Sequence, residues 1–337
     1  MAETVKATLA ENFGGVAQKA APEGTKFSLD DIPDLTGKVA VVTGGSEGIG
    51  YGCTHTLLSK NISKVFVLSV SQEVVDGATN SIKEELGEDM ANRTKWIQCD
   101  LSDWKHVAEV AQEINNSTDR LDILINNAAR GIMTYQVTDY GVERHMAVNH
   151  MGHVALTSNL LPLLKKTAEN NTVRIVNLSS NAHPWPPEDI KFDSLEDLNT
   201  DFGPRIQYGR SKLAAILYSR YLAQHLTKEH PKILINATHP GFVDTKMSTD
   251  DIHEAYPLGG YGMSAGLQPF KKNQFEGALS TMYAATQTDK SGEYLCVPAI
   301  PEPGSKLSQS QELAEQLMKL TRELVAEKTN GGPLKDY

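Results

Sequence analysis

The stretch Lys38-Val-Ala-Val-Val-Thr-Gly-Gly-Ser-Glu-Gly-Ile-Gly50 constrains this chain more than any other. A short apolar run, Val39 to Val42, passes at once into a glycine-rich turn. Such a run, bounded by turn residues, predicts a strand buried on both faces of a parallel sheet. Gly44, Gly48 and Gly50 let the backbone turn tightly and approach a ligand closely. The helix expected over 49–60 points its positive N-terminal end at the turn, where a pyrophosphate could sit. The spacing is G-x-x-x-G-x-G rather than G-x-G-x-x-G. A tight strand-to-helix turn with no ligand is the competing reading.

Downstream, apolar strands alternate with helices. Strands are expected over 65–69, 95–99, 121–125, 174–178, 232–236 and 294–297. Helices are expected over 73–86, 104–114, 140–165, 213–226 and 275–285, with Pro162 near the end of the third or kinking it. A terminal amphipathic helix over 312–327 carries Leu313, Leu317, Leu320 and Leu324 on one face. This alternation implies a single α/β domain, a doubly wound parallel sheet with helices on both faces. It is placed at 36–300, between an N-terminal extension at 1–35 and a C-terminal helix and tail at 301–337. Val5, Leu9, Phe13 and Val16 could line a helix in the extension, although a partly ordered tail is the expectation there.

Charge excludes one class of partner. A net charge of −10 disfavours nucleic acid, which needs a basic face. Cys53, Cys99 and Cys296 are odd in number and far apart, so neither a disulfide framework nor a zinc site is expected. They fit a reducing compartment. The sequence has no apolar run of membrane-spanning length and no secretory pattern at its start, so no spanning segment is expected and cytosol is the default. A homo-oligomer is left open.

In an open parallel sheet the ligand lies beyond the carboxyl ends of the strands. Polar features fall at those ends: Thr43 to Gly50, Asp100, Asn126 to Ala129, Ser179-Ser180 and Pro240 to Thr245. Tyr208 and Lys212 stand four apart at the start of a helix and so share a face. An ammonium beside a phenol favours the phenolate, which suits a general acid for a carbonyl or a base for an alcohol. Ser180 could hold a substrate oxygen, or Ser179-Ser180 could be ordinary turn chemistry. Asn149 could bind a water feeding protons toward Lys212, or back-bond to its own helix. His145, His150, His153 and His239 lack a metal spacing and are read as structural.

Together, Thr43-Gly-Gly-Ser-Glu-Gly-Ile-Gly50, Asn126-Asn-Ala-Ala129, Asn149, Ser180, Tyr208-x-x-x-Lys212 and Pro240-Gly-Phe-Val-Asp-Thr245 resemble the short-chain dehydrogenase/reductase family over roughly residues 36–300. The likeness is to the branch of retinol-dehydrogenase-like and fungal oxidoreductases, which share the long segment between Ser and Tyr. Ala129 stands where the family usually has Gly, a mild departure. The resemblance implies a Rossmann-type fold and catalytic roles for Asn149, Ser180, Tyr208 and Lys212. Tyr208 would exchange the proton. Lys212 would bind the nicotinamide ribose, Ser180 would orient the substrate oxygen, and Asn149 would hold a relay water. The implied cofactor-binding residues are Gly44, Ser46, Gly48, Ile49, Gly50, Ser69, Asp100, Leu101, Asn127, Ala128, Tyr208, Lys212, Val243 and Thr245. No metal is implied.

The second strand ends Leu68-Ser-Val-Ser71, with no carboxylate for a ribose diol until Glu73. That favours NADP, whose extra phosphate Ser69 or Ser71 could bind, although Glu47 in the turn opposes it. Segments 181–207 and 242–272 carry Trp185, Phe192, Phe202, Tyr256, Leu258, Tyr261, Met263 and Leu267. Such loops commonly form substrate pockets, which would suit a hydrophobic alcohol, aldehyde or ketone of retinoid, steroid or secondary-metabolite type. Side chains that merely pack the loops down are the other reading. The expectation is therefore NAD(P)-dependent hydride transfer. A catalytically silent NADP(H)-binding regulator or scaffold is the alternative, and the complete Asn-Ser-Tyr-Lys set argues against it.

Overall fold

In the first strand, β1 (Val39–Thr43), Val39 and Val41 pack on one side of the sheet and Ala40 and Val42 on the other. All five residues are buried, as a central strand covered on both faces requires. The computed structural model describes residues 2–14, 20–243 and 272–329. Seven further strands complete one sheet: β2 (Lys64–Ser69), β3 (Thr94–Gln98), β4 (Ile123–Asn126), β5 (Val173–Leu178), β6 (Ile233–His239), β7 (Tyr294–Cys296) and β8 (Ile300–Glu302). The order is β3-β2-β1-β4-β5-β6-β7-β8. Every pairing is parallel except that of β8 with β7.

The main helices are α1 (Ala2–Asn12), α2 (Gly48–Ser59), α3 (Gln72–Leu86), α4 (Trp104–Ser117), α5 (His153–Ala168), α6 (Pro204–Leu226), α7 (Gln274–Thr286) and α8 (Gln311–Thr329). Side chains of α4, α5, α6 and α8 fill the core on one face of the sheet. Those of α2, α3 and α7 fill the other. In α8 the leucines Leu313, Leu317, Leu320 and Leu324 are all buried, each contributing about 1.5–3 kcal/mol. The expected doubly wound α/β sheet is therefore the observed one. Successive strands are added on one side of β1 as far as β3 and on its other side from β4 onward, so the switch point, and with it the ligand crevice, lies at the carboxyl ends of β1 and β4.

Several details differ from the sequence expectation. The helix expected from 140 begins only at Arg144, because Gly141 sits at φ +75° and Glu143 caps the start by accepting from His145 N and Met146 N. A π-helical turn, Ala147–Gly152, then leads into α5, and Pro162 lies inside that helix rather than at its end. β6 runs on to His239 because Ala237, Thr238 and His239 pair with β7. The short antiparallel β8 carries Pro301, which an edge strand tolerates.

A further difference is α1, a helix where a partly ordered tail was expected. Its inward side is also not the apolar face read from the sequence. Val5 and Leu9 are 54% and 42% exposed, whereas Ala10 is fully buried. Ala10, with Ala7 beside it, packs against Ala237, Tyr294, Cys296 and Ile300. Small side chains let the helix lie close to the sheet edge. Val16 lies outside the described residues.

Candidate active site

The turn after β1 has a shape that side chains would block. Gly44 and Gly48 adopt φ of +62° and +53°, a region that favours glycine. A Cβ on Gly50 would run into the Gly44 carbonyl. Glu47 stands at the N-cap of α2, and the cap residue's own side chain leaves the first-turn N–H groups free of a cap bond. A dinucleotide pyrophosphate fits such a bare, positive helix end reached by a glycine turn. Ile49 lies in the first turn of α2 and Ser46 is buried just before it.

Thr43 ties this turn to the neighbouring strand. Its hydroxyl accepts from Asn127 N and Ala128 N, both at 2.9 Å. The Asn127 side chain donates to Thr43 O at 2.8 Å. With both N–H groups donating to it, the Thr43 hydroxyl gives its own proton to His153 Nε2, 2.8 Å away. His153 Nδ1 then donates to Asn149 O at 3.1 Å. Burial holds the His153 imidazole down at about 4, so it stays neutral and its tautomer is set by these two partners.

Asn149 lies on the π-helical turn with its side chain fully engaged. Its Oδ1 accepts from Arg130 N at 2.7 Å, and its Nδ2 donates to Arg130 O at 3.0 Å and Ser211 Oγ at 2.9 Å. Ser211 belongs to α6, between Tyr208 and Lys212, and its own hydroxyl donates to Tyr208 O at 2.8 Å. Asn149 is thus fixed to the helix turn that carries the tyrosine–lysine pair.

Helix α6 starts at Pro204, earlier than the sequence suggested, behind Gly203 at φ +83°. Lys212 is 4% exposed, and its Nζ lies 5.5 Å from the centre of the Tyr208 ring. The ammonium donates to Leu178 O at 3.1 Å, and burial brings its pKa down to about 8. Leu178 ends β5, immediately before the two serines. Ser179 is buried and its hydroxyl donates to Lys212 O at 2.7 Å, locking α6 to the strand. Ser180 is half-buried. Its Oγ accepts from Ala182 N at 3.2 Å and donates to Asn181 Oδ1 at 3.3 Å.

At the end of β2, Ser46 Oγ donates to Ser69 Oγ at 2.9 Å. Ser71 is used differently: its hydroxyl caps α3 by accepting from Val74 N. Asp100 is exposed and accepts from Ser102 N and Oγ, while Leu101 is buried. Val243 is buried and faces Gly277 together with Ile49. Thr245 lies outside the described residues, as do Tyr256, Leu258, Tyr261, Met263 and Leu267.

The aromatic residues of 181–207 divide. Phe192 and Phe202 pack on the Arg210 guanidinium, at 5.6 and 5.0 Å, and Arg210 pairs with Asp197 at 2.6 Å. These two rings hold the segment down. Trp185 instead sits 6.4 Å from the Tyr208 ring, with Arg205 over its own ring at 4.4 Å. Sequence reading missed Thr43, Ser211 and the engagement of His153. The only signal available was a polar residue at the end of a buried strand.

Comparison with known proteins points the same way. The family described as short chain dehydrogenase matches residues 38–188. A Neurospora crassa protein named as a mitochondrial oxidoreductase, bli-4, is 56% identical over 333 residues, covering 97% of this chain and 80% of its own. The short chain dehydrogenase/reductase dpchH of Colletotrichum higginsianum is 34% identical over 318 residues, covering 88% of this chain and 76% of its own. Among solved structures, the Pseudomonas aeruginosa RhlG/NADP active-site complex superposes with a TM-score of 0.59 at 26% identity, over 78% of this chain and 96% of that one.

Proposed function

The chain belongs to the short-chain dehydrogenase/reductase family, NAD(P)-dependent oxidoreductases, and from that premise we propose that its substrate is a hydrophobic alcohol, aldehyde or ketone whose proton Tyr208 exchanges. One observation carries the reading: the buried Lys212 ammonium lies 5.5 Å from the Tyr208 ring, on a helix turn fixed to Asn149 through Ser211. A protein that only senses cofactor needs no proton-exchanging group, and the complete Asn149-Ser180-Tyr208-Lys212 set argues against that alternative.

A nicotinamide cofactor, when bound, would supply or take the hydride. The glycine turn and the N-terminus of α2 would hold its pyrophosphate, with Asn127 and Ala128 alongside. In reduction, the Tyr208 hydroxyl gives its proton to the substrate oxygen, and in oxidation the phenolate takes it. The Ser180 hydroxyl hydrogen-bonds that oxygen and orients it. Lys212 binds the nicotinamide ribose, and its charge favours the phenolate. Asn149, expected from the resemblance to hold a relay water, instead spends its side chain on Arg130 and Ser211 and so braces the turn that carries Tyr208 and Lys212. Trp185 bounds the substrate side of Tyr208.

For the cofactor we propose NADP. No carboxylate stands at the end of β2, and the Ser46–Ser69 pair offers hydroxyls for the extra phosphate. For the compartment, cytosol is one expectation and the name of the Neurospora relative supports a mitochondrial alternative. The three cysteines are free and buried, which fits a reducing environment. Among the described residues, no helix is long and apolar enough to cross a membrane.

The deciding experiment is Tyr208→Phe, assayed on a panel of hydrophobic carbonyls and alcohols with NADPH and NADH. A loss of about 10²–10⁴ in kcat is expected, and near-full turnover on a working substrate overturns the assignment.

A further inference from the structure

Helix α1 precedes the segment that the family model matches, yet its last residue reaches the serine of the active site. Asn12 ends α1, and its Nδ2 donates to Thr8 O at 2.9 Å, one turn back. That bond turns Asn12 Oδ1 outward, where it accepts from Asn181 Nδ2 at 3.1 Å. The Asn181 amide is therefore set with its oxygen toward Ser180, whose Oγ donates to it at 3.3 Å. An amide held at only one end can turn over and present its NH₂ instead, which would make the serine an acceptor.

The helix end is clamped where it stands. Lys272 is fully buried, and its ammonium donates to Ala10 O at 2.7 Å and Glu11 O at 2.9 Å. A cation on the last carbonyls of a helix is a favourable cap. Phe242 N donates to Asn12 O at 3.1 Å, and Lys272 N donates to Phe242 O at 2.7 Å. Gly241, at φ +78°, lets the chain pass so close that a Cβ there would strike the Glu11 carbonyl. The rings of Phe13 and Phe242 meet at 5.9 Å between centroids. A helix that only covered the sheet edge would not need this fit at its end.

We propose that Asn12 is a positioning residue for Ser180, acting through Asn181, and that α1, clamped by Lys272, is a working part of the active site. The inference rests on the reading of Ser180 as the group that orients the substrate oxygen. With the Asn181 amide fixed, the Ser180 proton is held in one direction until a substrate oxygen competes for it.

The test compares full-length Asn12→Leu, Asn12→Asp, Lys272→Met and Ser180→Ala with the wild type. Initial rates are taken with decanal and each nicotinamide cofactor, and amide exchange is followed across residues 180–183 and 240–243. Asn12→Leu is expected to lower kcat about tenfold through misorientation, with KM for the cofactor unchanged. Asn12→Asp keeps the acceptor for Asn181 Nδ2 and retains most of the rate. A merely structural role would not separate the two substitutions in this way. Lys272→Met is expected to behave like Asn12→Leu and to speed exchange at 240–243. Wild-type kcat in Asn12→Leu, where Ser180→Ala has lost turnover, overturns the inference and leaves the functional reading standing. Full turnover by Ser180→Ala overturns that reading instead. Exchange decides without a substrate: faster exchange of the Asn181, Ala182 and His183 amides in Asn12→Leu supports the positioning, and unchanged exchange overturns it.

Discussion

The Thr43 hydroxyl and the His153 ring nitrogen, 2.8 Å apart, join the glycine turn after β1 to the start of α5, one turn beyond Asn149. Two backbone N–H groups, those of Asn127 and Ala128, also depend on this hydroxyl. Thr43→Val keeps the shape and removes all three partnerships. Leaving buried donors unsatisfied costs about 1–3 kcal/mol each. We expect Thr43→Val to melt markedly lower than the wild type and to bind cofactor more weakly, as the strand ends around the turn loosen. Thr43→Ser should restore both. Isothermal titration and thermal melts of the pair decide it, and wild-type cofactor affinity in Thr43→Val would refute the link.

The adjacent serines have different duties, and that difference can be measured. Ser179 spends its hydroxyl on Lys212 O inside the core, and Ser180 stands half-buried at the crevice. Ser179→Ala removes one buried hydrogen bond, worth about 1 kcal/mol, so stability should fall while kcat changes only modestly. Ser180→Ala should leave the melting temperature near that of the wild type and lower kcat/KM by about a hundredfold, as loss of a donor to a developing oxyanion does. The reverse pattern would move the substrate-orienting role to Ser179.

What the sequence discloses, and what it does not, follows from the range of the interactions. Continuous apolar runs such as Val39 to Val42 carry their own signal of burial on both faces, so the sheet and its helices could be read locally. So could the glycine turn and the Tyr208–Lys212 pair, whose spacing is set within one element. The contact of Thr43 with His153 joins residues 110 positions apart, and no local pattern announces it. Nor could the inner face of α1 be found by hydrophobicity, because alanines form it. The chain's larger residues there, Val5 and Leu9, lie on the outside. Phe192 and Phe202, which the sequence left between lining a pocket and packing their loop down, pack on a buried arginine.

Cofactor choice is testable at the end of β2. Ser69 receives the Ser46 hydroxyl bond at 2.9 Å, at the strand position where a carboxylate would meet a ribose diol. Ser69→Asp places a negative charge there, which repels a 2′-phosphate and accepts from a free diol. We expect NADPH affinity to fall by about tenfold or more, corresponding to about 1.4 kcal/mol, with NADH affinity holding or rising. Equal loss of both cofactors would show instead that Ser69 serves only to hold the Ser46 turn.

Lys212 is the group whose proposed catalytic use and structural cost most clearly oppose each other. Its ammonium is buried with Leu178 O as an acceptor, and desolvation lowers its pKa from the ordinary value of 10.5 to about 8. Between pH 8 and 10.5 the unfolded chain therefore holds the proton more tightly than the folded one, and stability rises with pH across that window. Below pH 8 both states are charged and the full penalty remains. Lys212→Met removes the penalty along with one hydrogen bond, a net gain of about 2 kcal/mol at pH 7. The variant should thus melt several degrees above the wild type at pH 7, and the gap should close by pH 10. It should also be nearly inactive, because no cation then stands behind the Tyr208 ring. In the wild type, turnover in the reducing direction should decline above about pH 8 as the ammonium loses its proton. Melting curves at pH 7 and 10, read beside a pH–rate profile, test both halves. A variant less stable than the wild type at pH 7 would mean that the bond to Leu178 outweighs the burial of the charge.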